Sequence, residues 1–139
     1  MSKSNELKAV LSHLKDLAEK ITQKNTDITY RRELLDHYFA VAPEVMEVTI
    51  LPITVQVGER NGYWFVPEDF DGQRYMLYIH GGSWMSGSIK GWQAFMGRLA
   101  SACDCAILFI DYSLMPEAPF PAGLNDCLMA YQWMRENEP

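Results

Sequence analysis

The sequence predicts an α/β protein with a parallel pair of strands, an antiparallel block ahead of that pair, and two helices ahead of the block. Three observations carry this. The runs Tyr75, Met76, Leu77, Tyr78, Ile79 and Ala106, Ile107, Leu108, Phe109, Ile110 are continuous, apolar and of strand length, the pattern of strands covered on both faces. Each is followed by a helical pattern, over 91–102 and from Pro121 onward. Strand, helix, strand, helix implies a parallel sheet with a right-handed crossover.

The elements follow in order. From about residue 5 to 21, Leu7, Val10, Leu11, Leu14, Leu17, Ala18 and Ile21 recur at spacings of three and four, one face of a helix. A second helix runs from Asp27, a candidate N-cap, to about Phe39, with Tyr30, Leu34, Leu35 and Tyr38 on one side. Ala42-Pro43 ends it, because the residue before proline disfavours helix. Residues 45–50, 53–57 and 63–66 read as strands, the last two flanking Asn61-Gly62, a pair that tolerates positive φ and signals a hairpin. Residues 69–72 form another turn. Residues 116–121 form a rigid loop, and Pro121 opens a helix with Leu124, Cys127, Leu128, Tyr131 and Met134 on one face. There is no internal repeat and no low-complexity segment.

Composition narrows the function. The chain has 139 residues, 48% of them hydrophobic, and four tryptophans at 64, 84, 92 and 133. That is one domain or part of one, with enough apolar matter for a core. A net charge of −6 argues against nucleic acid and anionic membranes as partners. No apolar run approaches the roughly 20 residues that span a bilayer. Cys103, Cys105 and Cys127 make an odd count, and the N-terminus has no secretory apolar region, so the expectation is a cytoplasmic protein with reduced thiols. His13 and His37 have no partner at metal-ligand spacing and read as surface or packing residues.

The segment His80-Gly81-Gly82-Ser83-Trp84 directly follows the first apolar strand. Adjacent glycines there let backbone amides turn toward a ligand and hold a developing oxyanion. A tight structural turn is the plainer explanation. A phosphate loop is a third: Gly82 and Gly87-Ser88 imitate its spacing, but the lysine such a loop requires is missing. The segment from Asp111 and Tyr112 through Pro116, Glu117, Pro119 and Pro121 to Ala122 is stiff and leaves a strand end. It suits a pocket wall and equally a connector.

Together the two segments resemble the α/β-hydrolases of the hormone-sensitive-lipase-like, bacterial acetyl-esterase family. That family has His-Gly-Gly-Gly-Trp after its third strand, matched by residues 80–84. It has Asp-Tyr-Arg-Leu-Ala-Pro-Glu-x-x-Phe-Pro-Ala after its fourth, matched by residues 111–122. Its next helix tends to read Leu-x-Asp-x-x-x-Ala-x-x-Trp, matched by Leu124, Asp126, Ala130 and Trp133. The resemblance spans about residues 63–133. It implies a partial α/β-hydrolase fold, strands 1–4 with helices A and B, over residues 43–139. Residues 1–42, by position and pattern, would be two cap-like helices.

The resemblance also implies roles. Gly82 and Ser83 would offer amides to an oxyanion, with Gly81 permitting the turn. His80 would brace the loop and would not be the catalytic base; Trp84 would pack behind it. Asp111, Tyr112, Pro116 and Glu117 would support the site from behind. The substrate would be a small acyl ester, attacked through a serine acyl-enzyme, with no cofactor and no metal. The variant with Ser83 at the third glycine also resembles kynurenine-formamidase-like members, which brings amides into range. Ser113 and Met115 stand where the family has Arg and Ala, so a salt link the family has there finds no arginine in this segment.

The family's Gly-Asp-Ser-Ala-Gly would come within about a dozen residues of this last helix, and the triad acid and His later still. No serine of this chain has the flanking glycines of a nucleophile elbow, and Ser83, Ser86, Ser88 and Ser101 have no oriented base beside them. The expectation is the oxyanion-loop half of a hydrolase without its catalytic triad, inactive alone. A non-catalytic remnant, or a module binding a small ligand or a partner chain, is the alternative. In the family's strand order, 1-2-4-3-5-6-7-8, the strand over 75–79 borders the fifth strand. Its open edge predicts a homo-oligomer or pairing with a separate C-terminal polypeptide.

Overall fold

A computed structural model describes residues 4–23, 27–40 and 50–139. Two helices come first, α1 (Asn5–Thr22) and α2 (Ile28–Ala40). They are followed by β1 (Ile53–Val57), β2 (Arg60–Phe65), β3 (Tyr75–Tyr78), α3 (Ile89–Cys103), β4 (Ala106–Ile110) and α4 (Ala122–Glu136). Of the expected strand over 45–50, all but Ile50 lies outside the described residues, as does the Ala42-Pro43 helix stop, and Ile50 is not in a strand.

The four strands form one sheet in the order β1-β2-β4-β3. β1 and β2 pair antiparallel, as do β2 and β4, whereas β3 and β4 pair parallel with α3 between them. β4 is therefore interior, and all five of its residues are buried. Its alternation divides the core. Ile107 and Phe109 pack with Phe65 against Met96 and Ala100 of α3. On the other face, Ile110 packs with Val57 against Cys127 and Ala130 of α4, and Leu108 packs with Trp64 and Trp133. An element covered on both faces has no polar side to show, which is why its sequence reads as an unbroken apolar run. Among the described residues, β3 has a strand neighbour on one side only. Tyr75, Met76, Leu77 and Tyr78 are accordingly half-buried and Ile79 is exposed, less covered than an all-apolar run suggests.

The hairpin differs from the expectation. The turn is at Gly58-Glu59, and Asn61-Gly62 lie within β2, opposite Gln56 and Val55. Gly58 holds the positive φ, 59°. Gly62 serves another purpose: a Cβ there would stand 2.8 Å from Val57 Cγ2 and 3.2 Å from Leu108 Cδ1. It is glycine because side chains of the two flanking strands, β1 and β4, crowd its face.

Both ends of α3 are capped. Ser88 Oγ accepts from the Lys90 amide. Asp104 takes the left-handed C-terminal position, φ 50°, and its amide bonds back to Ala100 and Ser101. Pro121 sits at the N-cap of α4, one residue before its first turn. The three cysteines are free thiols.

α2 docks on α3. Asp36 and Phe39 meet α3, whereas Leu34 and Tyr38, from the side that periodicity selects, line a groove shared with α1. Phe39 stacks on Trp92 with ring centroids 5.0 Å apart. At Gly91 the backbones come close enough that a Cβ would lie 3.1 Å from Asp36 Cα. Tyr38 turns instead to α1, stacking on His13. No residue of α1 is buried.

Candidate active site

The two loops singled out by sequence leave adjacent parallel strands at the same end. β3 runs into His80 and β4 runs into Asp111. In open α/β sheets this end of the strands is where ligands bind.

His80 is buried, and its ring lies between those of Phe109 and Tyr112, with centroids 5.3 and 4.3 Å away. Its Nδ1 is 3.0 Å from the Gly81 carbonyl. A carbonyl only accepts, so Nδ1 carries the proton in this contact. Burial lowers the His80 pKa and keeps the imidazole neutral. Tyr112 Oη donates to the His80 carbonyl at 2.7 Å, and burial pushes that phenol up to about 12. His80 is thus a packed strut tied to the next strand's exit.

The loop itself turns through three consecutive positive φ values: Gly82 at 143°, Ser83 at 56° and Trp84 at 61°. The left-handed region costs an ordinary residue about 1–2 kcal/mol. Gly82 is required twice over, by its φ and because a Cβ there would collide with the Ser86 carbonyl. Gly81 has neither constraint: a Cβ there meets nothing within 4 Å. The turn expected of Gly81 is made by Gly82. The Gly82 carbonyl accepts from the amides of Met85 and Ser86, both at 3.1 Å, and from Ser86 Oγ at 3.0 Å. Among the described residues, no hydrogen bond is donated by the Gly82 or Ser83 amide.

Trp84 reaches the Tyr112 ring, centroids 5.6 Å apart, and lies over Gly123. It remains 49% exposed, so it flanks the loop and is only partly packed behind it. With Ser113, Met115, Ala118, Phe120, Gly123 and Leu124 it lines a small apolar cavity of about 90 Å³.

The second loop buttresses the first. Met115 donates its amide to the Trp84 carbonyl at 2.8 Å. Asp111 Oδ1 accepts from the Ile89 amide at the start of α3, 3.1 Å away. Burial pushes the Asp111 carboxyl up to about 6, against the pull of its Ile89 and Tyr63 hydrogen bonds. Asp126 of α4 accepts from the Ser113 amide at 2.8 Å, which gives the motif aspartate of that helix a holding task. Pro116 lies between Met115 and Glu117 at the exposed rim.

Sequence reasoning missed two residues here. Arg32 of α2 donates from Nε to the Met85 carbonyl at 2.7 Å and from Nη2 to the Met115 carbonyl at 2.8 Å. It also grips both carboxylate oxygens of Glu117, at 2.8 and 2.7 Å. The Arg32 guanidinium holds the Glu117 carboxyl down to about 2. Glu117 thus has an arginine partner, delivered from a distant helix. Asp36, one turn on, accepts from Ser88 Oγ at 2.6 Å. The i, i+4 placement of Arg32 and Asp36 was the available signal, but it is common on solvated helix faces.

Two serines beside the loop have their hydroxyls engaged. Ser86 Oγ is spent on Gly82, Ser88 Oγ on Asp36, and the His80 ring faces neither in a hydrogen bond. Among the described residues, no three His, Cys, Asp or Glu side chains cluster as a metal site. Nor is any helix long and apolar enough to cross a membrane.

Known proteins match this arrangement. Residues 76–139 match the family model described as alpha/beta hydrolase fold. An arylesterase of Saccharolobus solfataricus is 39% identical over 62 residues, 45% of this chain and 20% of that protein. An acetyl-hydrolase of Streptomyces hygroscopicus is 38% identical over 82 residues, 59% of this chain and 27% of that protein. The crystal structure of an esterase from the bacterial hormone-sensitive lipase family superposes with a TM-score of 0.81 at 27% identity. It covers 98% of this chain, and the match covers 44% of the esterase. The chain thus spans less than half the length of the relatives it matches. By sequence motif and by fold, it is similar to the N-terminal part of alpha/beta hydrolases of the hormone-sensitive-lipase-like esterase group.

Proposed function

We propose that this chain supplies the oxyanion loop, and the scaffold that holds it, for a carboxylic-ester hydrolase acting on small acyl esters. The carrying observation is the loop at 82–84, forced through three positive φ values with the Gly82 and Ser83 amides unspent. When a serine attacks an ester carbonyl, charge builds on the carbonyl oxygen. Preorganised amides at that point contribute about 2.7–4 kcal/mol each to lowering the barrier. Gly82 and Ser83 would be those donors. Their positions are fixed by the His80 stack, by the Gly82 carbonyl bonds and by the Met115–Trp84 bond. The serine, its base and its acid would come from sequence other than these 139 residues, because no serine of this chain has the flanking glycines of a nucleophile elbow. No cofactor enters the reaction. An amide substrate is the variant reading that Ser83 favours.

The outer edge of β3 supports a second reading, as a binding module. Its backbone lacks a strand partner on one side within this sheet, and an open edge is a template for another strand. A second copy of this chain or a C-terminal polypeptide would pair there. In the hydrolase reading residues 1–42 act as a cap and residues 43–139 as the hydrolase core.

The test has two arms on the folded chain. Titration with methyl methylphosphonate, a tetrahedral monoanion, should shift the Gly82 and Ser83 amide resonances saturably. Treatment with a fluorophosphonate followed by intact mass should give no adduct. Silent amides would overturn the oxyanion assignment. A stoichiometric adduct would show that a serine of this chain is activated, and peptide mapping would start at Ser83, Ser86 and Ser88.

A further inference from the structure

We infer that Arg32 is a positioning residue for the oxyanion loop, so that the seating of helix α2 sets the geometry of the Gly82 and Ser83 amides. This rests on the oxyanion reading above. The argument begins with strain. Ser83 and Trp84 hold φ values of 56° and 61° without being glycine. Such a pair persists only where its surroundings over-determine it. The loop has internal restraints on its first half, where Met85, Ser86 and the Ser86 hydroxyl all bond to the Gly82 carbonyl. On its outer side the restraint is Arg32. One guanidinium holds the Met85 carbonyl, the Met115 carbonyl and both oxygens of Glu117. Met115 in turn donates to the Trp84 carbonyl. The ring of contacts closes: Arg32 grips the residue after the strained pair directly and grips Trp84 through Met115.

A guanidinium suits this task because it is planar and offers five donors in a fixed fork. An ammonium has three donors at one point and cannot reach two carbonyls and a carboxylate in these directions. The same face of α2 holds the loop's far end, where Asp36 accepts from Ser88 Oγ. The segment from Met85 to Ser88 is therefore fastened to one helix at both ends. A shift of α2 must move the loop or break these bonds.

The experiment uses the full chain with Arg32→Lys and Arg32→Gln, read by residue-resolved amide hydrogen exchange. Met85, Ser86 and Met115 are the reporting amides, since each donates within the loop network. In both variants their exchange should quicken tenfold or more, while β4 and α4 amides change less than twofold. Glu117→Gln should quicken them less, because the two carbonyl contacts survive. Unchanged exchange at the three amides overturns the proposal. Uniform quickening through β4 and α4 overturns it too, since Arg32 would then be a general stabiliser. The methyl methylphosphonate response separates the two readings. A native chain that does not respond, with a loop loosened in the variants, overturns the oxyanion reading and leaves the hold of Arg32. A responsive native chain with an unloosened variant loop does the reverse.

Discussion

The two N-terminal helices make opposite use of their side chains. α1 has the clearer apolar stripe, yet Leu7, Val10, Leu11 and Leu14 on it are exposed and none of its residues is buried. α2 has the weaker stripe and the firmer seat. It is held by Arg32 on two loops, by Asp36 on Ser88, by Phe39 on Trp92 and by close backbone approach at Gly91. An apolar stripe states which face a helix could bury. Where a helix sits is decided by directional bonds and by a gap in the partner, here the missing side chain at Gly91.

If that is right, filling the gap should do the most damage. Gly91→Leu places carbons where Asp36 backbone already stands 3.1–3.2 Å from a Cβ position. Overpacking of this kind costs about 1–3 kcal/mol, opposed by up to about 1 kcal/mol of helix propensity gained in α3. The expected outcome is a net loss of about 1–2 kcal/mol in unfolding free energy, read as a lowered denaturant midpoint, with a change in Trp92 fluorescence as the Phe39 stack opens. A variant as stable as the native chain would mean that α2 is not seated on α3 in this way.

Acid should loosen α2 without touching the sheet. Glu117 has its folded pKa depressed to about 2 by Arg32. A depressed carboxylate contributes stability above its ordinary pKa and loses it as pH falls through the folded value. The Arg32 contribution is therefore whole above about pH 4.5 and fades toward pH 2. Thermal melts between pH 5 and pH 3 should fall less steeply for Glu117→Gln than for the native chain. The carboxylate is solvated, so the difference is modest and shrinks with salt. Parallel slopes would remove Glu117 from the network.

What the sequence made legible follows the same division. β4 could be read from five letters because both its faces are covered and its neighbours impose no exception. The loop at 80–84 could be read because its residue types are rare at a strand end. Asn61-Gly62 misled because a glycine demanded by crowding looks the same as one demanded by a turn. The true turn uses Gly58, and Asn61 instead accepts from Gln56 Nε2 across the hairpin. Arg32 was invisible because its partners lie 53 and more positions away. Such a contact leaves no local pattern, only an arginine on a helix like any other.

The smallest effect expected belongs to the stripe that looked most significant. Val10 is 53% exposed on α1. Substitutions at such positions usually change stability by under about 0.5 kcal/mol, and serine for valine costs little helix propensity. Val10→Ser should leave the unfolding free energy within that margin and should not quicken exchange anywhere in the sheet. The informative departure would be a loss near 2 kcal/mol that grows with protein concentration. A valine that exposed in one chain can stabilise that strongly only if another surface covers it. Sedimentation would then have to show an assembly that Val10→Ser disperses. The contrast between the helices would be one of partners: α2 seated on its own core, and α1 seated on a second copy.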